Sequence, residues 1–198
     1  MTKVLCSIAM SVDGFVAGPD QTLEHPLGVN IEERLHRWMF ERADENAAEL
    51  DAHGAASAYV MGRNMFGPRR GEWDLEWTDW WGPEPPYHAP VFVLTHHARD
   101  PLTTVGGTTF TFVTDGIEAA LDQAKAAAGD GYVLISGGAE TVNQYLRAGL
   151  IDELWLHVTP VLLGAGERLF EAVPITDLEK IEARDTDLVT HLRYRIPR

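Results

Sequence analysis

The sequence predicts an α/β fold in which a mainly parallel central sheet is flanked by helices and ends in antiparallel strands. Three observations support this prediction. Short apolar runs alternate with helical patterns along most of the chain, two of these runs end in glycine just before a helix, and the last stretch contains strand patterns around a tight turn. Alternation of strands and helices is typical of a parallel sheet. We expect one domain over residues 1–198, because no linker or repeat interrupts the pattern.

The first predicted strand covers residues 3–10, whose apolar side chains alternate. Residues 11–18 follow with an aspartate and two glycines, which indicates a turn at the edge of a cleft. Residues 19–30 carry no periodicity and are expected to form a loop that is mobile or covers a ligand. Residues 31–50 show helical spacing, with Asn30 as the expected cap and Glu32 and Glu33 in the first turn.

A second buried strand is predicted over residues 57–61; Gly62 ends it and a short helix is expected from Arg63. The next segment, residues 67–90, contains four tryptophans and five prolines and resembles neither helix nor strand. Such aromatic side chains line a surface groove or an oligomer contact, or else they plug the hydrophobic core. The sequence leaves these alternatives open.

The remaining elements follow in regular order. Residues 91–95 and 108–113 are predicted strands, residues 117–128 an amphipathic helix, and residues 153–159 an alternating strand. Residues 178–183 and 188–196 flank the turn signal Asp185-Thr186-Asp187, which predicts a terminal hairpin. The sheet is therefore expected to finish with antiparallel strands.

The most informative stretch is YVLISGGAETVNQYL, residues 132–146. An apolar strand runs into Ser136-Gly137-Gly138, and helical spacing begins at Ala139. Glycines let a ligand approach the backbone, and the free N–H groups at a helix start favour a phosphate. A tight turn that only packs the helix onto the sheet fits this stretch equally well, because a pair of glycines is a weak motif.

Two strand–glycine–helix junctions, at Gly62 and at Gly137-Gly138, should open at the same edge of a parallel sheet. Neither has the spacing of the dinucleotide fingerprint or the Walker loop. Together with the polar residues after the third strand they suit a dinucleotide that carries a further phosphate. Arg63 could pair with one anionic group, and Thr95, His96 and Arg99 could surround another.

Composition narrows the function classes. The formal net charge of −14 argues against nucleic acid or an anionic membrane as partner. Cys6 is the only cysteine, and the histidines show no metal-ligand spacing, so we expect no disulfide and no metal site and interpret the histidines as surface residues. The first residues resemble a strand more than a signal peptide, which together with the cysteine usage predicts a cytoplasmic protein.

Asp13 is the carboxyl that we single out for chemistry. It follows a buried strand and precedes Gly14, so partial burial could raise its pKa towards that of a useful proton donor or acceptor. An aspartate that merely bonds to its own turn is the alternative.

Four motifs in this order, SIAMSVDGFVAG, YVMGRNMF, VFVLTHH and LISGGAETVNQYLRAGLIDELWLHVTPVLLGAGERLF, resemble the dihydrofolate reductase-like superfamily. The sequence is most similar to the reductase domain of the bifunctional riboflavin-biosynthesis deaminase–reductase and to stand-alone bacterial relatives. The resemblance implies the three-layer fold of that superfamily, an oxidoreductase with NADP(H) as cofactor and a small heterocyclic acceptor (a pterin, a ribityl-pyrimidine or a similar compound), and a homodimer. It assigns these residues to the cofactor: Ala9, Gly62, Arg63, Asn64, Thr95, His96, Gly137, Gly138, Ala139, Glu140 and Thr141. It assigns Ser11, Asp13 and Gly14 to the substrate.

The sequence also departs from these relatives. True dihydrofolate reductases carry an acidic residue on the first helix that binds the pterin, and either Glu32, Glu33 or neither could take that role here. No zinc-dependent deaminase domain precedes the reductase motifs, so a full riboflavin-pathway enzyme is not expected. The alternative to a reductase is a non-catalytic NADP(H)-binding or regulatory protein that keeps the fold.

Overall fold

The computed structural model describes residues 2–29, 31–67 and 71–197, and within the first helical turn it leaves out the side chains of Glu32 and Glu33. The predicted cap Asn30 therefore lies outside the described residues, and so do the side chains of Glu32 and Glu33, for which the sequence left a pterin contact open.

Eleven strands are present in the described part of the chain. They are β1 (Lys3–Ser11), β2 (Phe15–Ala17), β3 (Ala58–Gly62), β4 (Pro90–Leu94), β5 (Leu102–Thr103), β6 (Thr109–Val113), β7 (Tyr132–Gly137), β8 (Glu153–Thr159), β9 (Glu167–Arg168), β10 (Glu179–Asp185) and β11 (Thr190–Arg195). Nine of them form one sheet in the order β10-β11-β8-β1-β7-β3-β4-β6-β5, and β2 pairs with β9. The sequence did not predict β2, β5 and β9, which have three, two and two residues.

The sheet is parallel in its centre and antiparallel at both edges. β1 pairs in parallel with β7 and β8, and β3 pairs in parallel with β7 and β4. The terminal strands β10 and β11 form an antiparallel hairpin, and β11 runs antiparallel to β8. This arrangement confirms the predicted mixed, mainly parallel sheet with antiparallel C-terminal strands.

Among the described residues, five α-helices flank the sheet: α1 (Arg37–Glu41), α2 (Ala47–Gly54), α3 (Arg63–Phe66), α4 (Gly116–Ala128) and α5 (Ala139–Arg147). Short 3-10 helices cover Glu32–Leu35 and Asp44–Asn46. The continuous helix predicted over residues 31–50 is wrong. The side-chain amide of Asn46 donates to the carbonyls of Trp38 (3.2 Å) and Arg42 (2.7 Å), which takes up acceptors at the point where α1 ends.

The two faces of the sheet differ in chemistry. One face packs α4 and α5 on an apolar core that includes Cys6, Val60, Ile135 and Leu154. The other face is apolar near Tyr59 and becomes polar towards the carboxyl ends of β1, β7 and β8, where the segment from residue 31 to residue 54 covers it. Because strand side chains alternate, each strand supplies both faces.

The inner tryptophans of the segment plug the core, which is one of the alternatives that the sequence left open, whereas a groove or an oligomer contact stays a prediction. Trp73 and Trp77 pack against the core on the second face, and Trp77 donates its indole N–H to the carbonyl of Phe66 at 2.8 Å. Trp81 remains 49% exposed. Trp73 and Trp77 therefore close the core on this face, and Trp81 leaves part of its ring exposed to solvent.

Candidate functional site

The two glycine junctions lie side by side, as the sequence predicts. β3 and β7 are neighbouring parallel strands, and Met61 is the register partner of Gly137. A Cβ on Gly62 would overlap with Thr141 Oγ1, and the carbonyl oxygen of Gly137 and the nitrogen of Gly138 would each lie 3.7 Å from it. Glycine at position 62 therefore allows β3 to approach the first turn of α5 closely.

The start of α5 is open. Gly138 is the N-cap residue, no side chain caps the helix, and no heavy atom lies within 4 Å of the position that a Cβ on Gly138 would occupy. The peptide bond between Gly137 and Gly138 is cis. Backbone N–H groups at this end of a nine-residue helix are thus accessible to an anion.

The residues that follow Gly138 have different surroundings. Ala139 is 4% exposed and packs into the core below α5, so its side chain supports the turn from inside. Glu140 is solvent-exposed and its carboxylate accepts a 2.6 Å hydrogen bond from Arg147 on the same helix. Thr141 is 8% exposed and faces Gly62.

Arg63 lies flat on an aromatic ring at the end of β3. Its guanidinium carbon is 3.8 Å from the ring centroid of Trp73, and one Nη donates to the carbonyl of Glu72 at 3.3 Å. Its Nε is buried without a hydrogen-bond partner. Partial burial lowers the pKa of Arg63, and the nearby Glu72 carboxylate opposes this shift. Asn64 is exposed beside it.

The turn after β4 is held by local hydrogen bonds. The Thr95 hydroxyl donates to the carbonyl of His97 at 3.3 Å and accepts from its N–H at 3.1 Å, while His96 is exposed. Trp73 donates to the same carbonyl of His97 at 2.7 Å. Arg99 donates to carbonyls at Leu75 and Trp77, so it holds the tryptophan-rich segment and does not point freely to a phosphate as expected.

The predicted pKa shift of Asp13 is wrong in direction. Ser11 donates to its carboxylate at 2.6 Å, and the N–H groups of Leu163 and Gly164 donate at 3.1 and 2.7 Å. These bonds, led by the Ser11 hydroxyl, lower the pKa of Asp13 to about 2. The carboxylate is consequently ionised at neutral pH and ties the turn after β1 to the loop after β8.

This linkage extends through the backbone of the same turn. Gly14 adopts a φ of 87°, its carbonyl accepts from the N–H of Leu169 at 2.9 Å, and Arg168 donates to the carbonyl of Asp13 at 3.3 Å. Asn143 on α5 donates to the carbonyl of Arg168 and accepts from Phe170. Ser11, Asp13 and Gly14 thus position the segment around β2 and β9 beside α5.

A row of small polar residues on the second face was missed by the sequence analysis. Ser7, Ala9 and Ser11 alternate along β1 on this face, and Ser136 follows Ile135 on the neighbouring strand β7, at the bulge before Gly137. Ser136 is 8% exposed and its hydroxyl is buried without a partner. A buried hydroxyl without a partner is costly unless a ligand or water satisfies it.

Next to this row lies a chain of histidines. The Ser7 hydroxyl is 2.9 Å from His157 Nε2, His157 Nδ1 is 2.7 Å from His191 Nδ1, and His191 Nε2 is 2.7 Å from Asn46 Oδ1. His53 Nδ1 approaches Ser7 Oγ at 3.5 Å from α2. The Trp38 ring covers both histidine rings, with centroid distances of 4.8 Å to His157 and 5.1 Å to His191.

The interpretation of the histidines as surface residues is wrong for His36 and His53, which are half-buried, and it did not consider the two histidines that they adjoin. His157 and His191 are 6% and 3% exposed. Burial lowers the pKa of His157 to about 3 and that of His36 to about 4, with neighbouring histidines adding to each shift. Burial also lowers the pKa values of His53 and His191. Spacing along the chain could not reveal the group, because its members come from four separate segments.

The described residues contain no group of three or more histidine, cysteine or carboxylate side chains arranged to hold a metal ion. Within the same part of the chain, no helix has the length and apolarity needed to cross a membrane.

Comparison with known proteins identifies the family. The sequence pattern of the RibD C-terminal domain matches residues 2–190. An uncharacterized protein of Bacillus subtilis strain 168, YwjB, is 25% identical over 186 residues, which is 93% of this chain and 90% of that protein. The chain belongs to the RibD C-terminal domain family, since the match covers nearly all of it.

Solved structures agree with this assignment at the level of the fold. A putative riboflavin biosynthesis protein from Shewanella sp. PV-4 is 22% identical with a TM-score of 0.67, and each chain is covered fully. Dihydrofolate reductase from Enterococcus faecalis, solved with NADP(H), is 14% identical with a TM-score of 0.60 over 99% of this chain and 97% of that chain. The dihydrofolate reductase-like α/β fold predicted from the motifs is confirmed.

The contact between Gly62 and Thr141 can be tested with a paired substitution. We expect Gly62→Ala to lower the free energy of unfolding by about 1–3 kcal/mol, because its Cβ overlaps with Thr141 Oγ1. Thr141→Ala removes that oxygen, so the double variant should regain most of the loss. Urea unfolding of the three variants measures the coupling. Additive losses would show that the two side chains do not compete for this space.

The buried histidines predict a loss of stability in mild acid. Unfolded histidines ionise near pH ~6.5, whereas His36 and His157 stay neutral in the folded protein to pKa values of about 4 and about 3. The unfolded state therefore binds more protons, and each such histidine costs about 1.4 kcal/mol per pH unit below ~6.5.

Chemical denaturation between about pH 6.5 and about pH 5 measures this slope, in a range above the usual carboxylate pKa values. His157→Asn should flatten the slope, and His96→Gln, on an exposed turn, should leave it unchanged. A flat profile for the unmodified protein would contradict the buried neutral cluster.

Proposed function

We propose that this protein is an NADPH-dependent oxidoreductase that transfers a hydride to a small heterocyclic acceptor, such as a pterin, a ribityl-pyrimidine or a similar compound. The observation that carries the proposal is the juxtaposition of Gly62 with the uncapped Gly137-Gly138 start of α5 at one edge of the sheet. Membership of the RibD C-terminal domain family supports a reductase, and a dihydrofolate reductase of the same fold is described with NADP(H).

The residues at this edge fit a phosphorylated dinucleotide. The open N–H groups at Gly138 and beyond favour the pyrophosphate, and the longer helix α5 provides the stronger dipole of the two junctions. α3 has only four residues and therefore a weak dipole, so anion binding at this junction depends on the Arg63 guanidinium, which stacks on the Trp73 ring. The exposed His96 follows β4, the parallel neighbour of β3, and we assign it to the phosphate of the adenosine ribose.

The acceptor belongs on the second face, next to Ala9 and the unsatisfied hydroxyl of Ser136. When bound, NADPH supplies the hydride and the protein positions the acceptor and its proton. Asp13 keeps the site in shape: its ionised carboxylate orders the turn through Ser11, Leu163 and Gly164 and does not carry a proton at neutral pH. The single buried cysteine suits a cytoplasmic setting, which we propose as the site of action.

Cofactor preference provides the first test. We expect NADPH to quench intrinsic tryptophan fluorescence with an affinity at least about tenfold above that of NADH, since one extra phosphate contact is worth about 1.4 kcal/mol or more. His96→Gln should weaken NADPH binding and leave NADH binding nearly unchanged. Equal, weak responses to both nucleotides would contradict a site for the additional phosphate.

Turnover separates a reductase from a protein that only binds the cofactor. Loss of NADPH absorbance in the presence of pterins, ribityl-pyrimidines and simple imines or ketones should identify at least one acceptor. Tight NADPH binding with no oxidation across this panel would favour the non-catalytic alternative.

We also propose a homodimer that forms through the outer hairpin. β10 is an outer strand of the sheet, Ile181 within it and Leu178 just before it are each 41% exposed, and unpaired strand edges promote association. Light scattering after size exclusion should give twice the chain mass of 21.9 kDa. Ile181→Lys should yield monomers, while Val105→Lys, at a position 83% exposed elsewhere, should not. Monomers in the unmodified protein would refute this proposal.

A further inference from the structure

The histidine chain on the second face has one accessible end. His157 and His191 are buried, whereas His53 on α2 is half-buried and contacts Ser7. Ser7 lies two residues from Ala9 on β1, a distance of about 6.6 Å. The accessible end of the chain therefore adjoins the region where the acceptor is proposed to bind.

The inner end of the chain fixes the direction of its hydrogen bonds. Asn46 uses its amide nitrogen to donate to Trp38 and Arg42, so its oxygen faces His191 as an acceptor. His191 must then donate from Nε2, and its neutral form leaves Nδ1 as an acceptor. Arg184 and Thr186 also point to this oxygen, which keeps it an acceptor.

The same hydrogen-bond reasoning gives the tautomers of His157 and His53. His157 donates from Nδ1 to His191, which leaves His157 Nε2 as an acceptor for the Ser7 hydroxyl. Ser7 Oγ can then accept from His53 Nδ1. When all of these rings are neutral, this order of bonds puts the proton of His53 on Nδ1 and leaves its Nε2 unprotonated.

We propose that His53 is the proton-donating residue of the acceptor site and that Ser7, His157, His191 and Asn46 are positioning residues that fix its tautomer. This inference rests on the proposed reductase function. In this proposal the histidine chain, through His53, supplies the proton that must accompany each hydride.

The proton balance of the step is simple. His53 takes one proton from solvent at Nε2, and the resulting imidazolium keeps its Nδ1–H on Ser7. The acceptor's C=N or C=O bond gains the hydride on carbon and the Nε2 proton on nitrogen or oxygen, so the π bond is lost and one N–H or O–H bond forms. His53 returns to the neutral form with the same tautomer, and NADPH is the only reductant consumed.

The charges around His53 favour this use. His36 on the covering segment and His157 on β8 face it as neutral groups, and Tyr59 on β3 donates its hydroxyl to the His53 carbonyl at 2.8 Å. On its own helix, Glu49 pairs with Arg184, which removes that carboxylate from His53. Burial lowers the pKa of His53, so its protonated form is a stronger acid than free imidazole.

Nitrogen NMR of the protein labelled with 15N-histidine tests the tautomers without any substrate. At about pH 8, above the ordinary histidine pKa, the neutral rings should show Nδ1–H for His53 and His157 and Nε2–H for His191. Single His→Gln variants assign the signals. In Ser7→Ala, His53 should shift towards the tautomer mixture of free histidine. An Nε2–H tautomer for neutral His53 in the unmodified protein would overturn the proposal.

Kinetics with the acceptor found in the panel test the proton transfer. The turnover number should rise about tenfold per unit as pH falls from about 8 to about 7, because only protonated His53 donates. His53→Gln should lower turnover by about 10²-fold or more and abolish this slope, with NADPH affinity unchanged. Ser7→Ala should lower turnover less and shift the profile, and external imidazole should partly restore His53→Ala.

The two proposals fail in different ways. A pH-independent turnover that His53→Gln does not alter would refute the proton donor and leave the reductase function standing. A panel without turnover would count against the reductase function, and the NMR result still decides whether the positioning chain exists as described.

Discussion

The close approach of two neighbouring parallel strands at their carboxyl ends is the constraint on which the structure depends. β3 can approach the first turn of α5 because Gly62 has no side chain: Thr141 occupies the space that a Cβ there would fill, and the neighbouring Gly137 adopts a φ of 119° that favours glycine. The same approach leaves the start of α5 uncapped and open. Backbone geometry, more than side-chain chemistry, therefore builds the proposed cofactor edge, and this reconciles it with a chain of net charge −14.

The polar second face determines the shape of the segment that covers it. A regular helix over residues 31–50 would need the carbonyls of Trp38 and Arg42 for its own ladder, yet Asn46 binds both and also accepts from His191. Satisfying the buried histidines thus breaks the helix into short pieces. An unpaired buried polar group costs about 1–3 kcal/mol and a helical hydrogen bond contributes about 0.5–1.5 kcal/mol net, so satisfying several such groups offsets the helical bonds that are lost.

Local patterns in the sequence predicted the parts of the fold that are locally encoded. Glycine-terminated strands and helical spacing identified the β3–α3 and β7–α5 junctions, and parallel order placed Gly62 next to Gly138. The local patterns did not predict the long-range contacts. The Ser11 hydroxyl is the first cause of the lowered pKa of Asp13, but N–H groups some 150 residues later, at Leu163 and Gly164, add to it. The histidine chain likewise joins β1, β8, β11 and two helical pieces. Periodicity could not show either, because it reports only on neighbours within one element.

Because Asp13 is ionised at neutral pH, it does not serve as the proton donor of the proposed site. The ionised carboxylate accepts three hydrogen bonds and so connects the turn after β1 to the loop after β8. Protonation would weaken these hydrogen bonds and therefore this connection. A reductase still needs a proton source near the acceptor. Among the described titratable side chains near the polar end of the second face, we assign this role to His53, which is only partly buried and contacts a buried hydrogen-bond network through Ser7. The pyrophosphate is therefore proposed to bind mainly to backbone N–H groups, which do not titrate, and the proton is proposed to come from the histidine chain, so different groups carry the two steps.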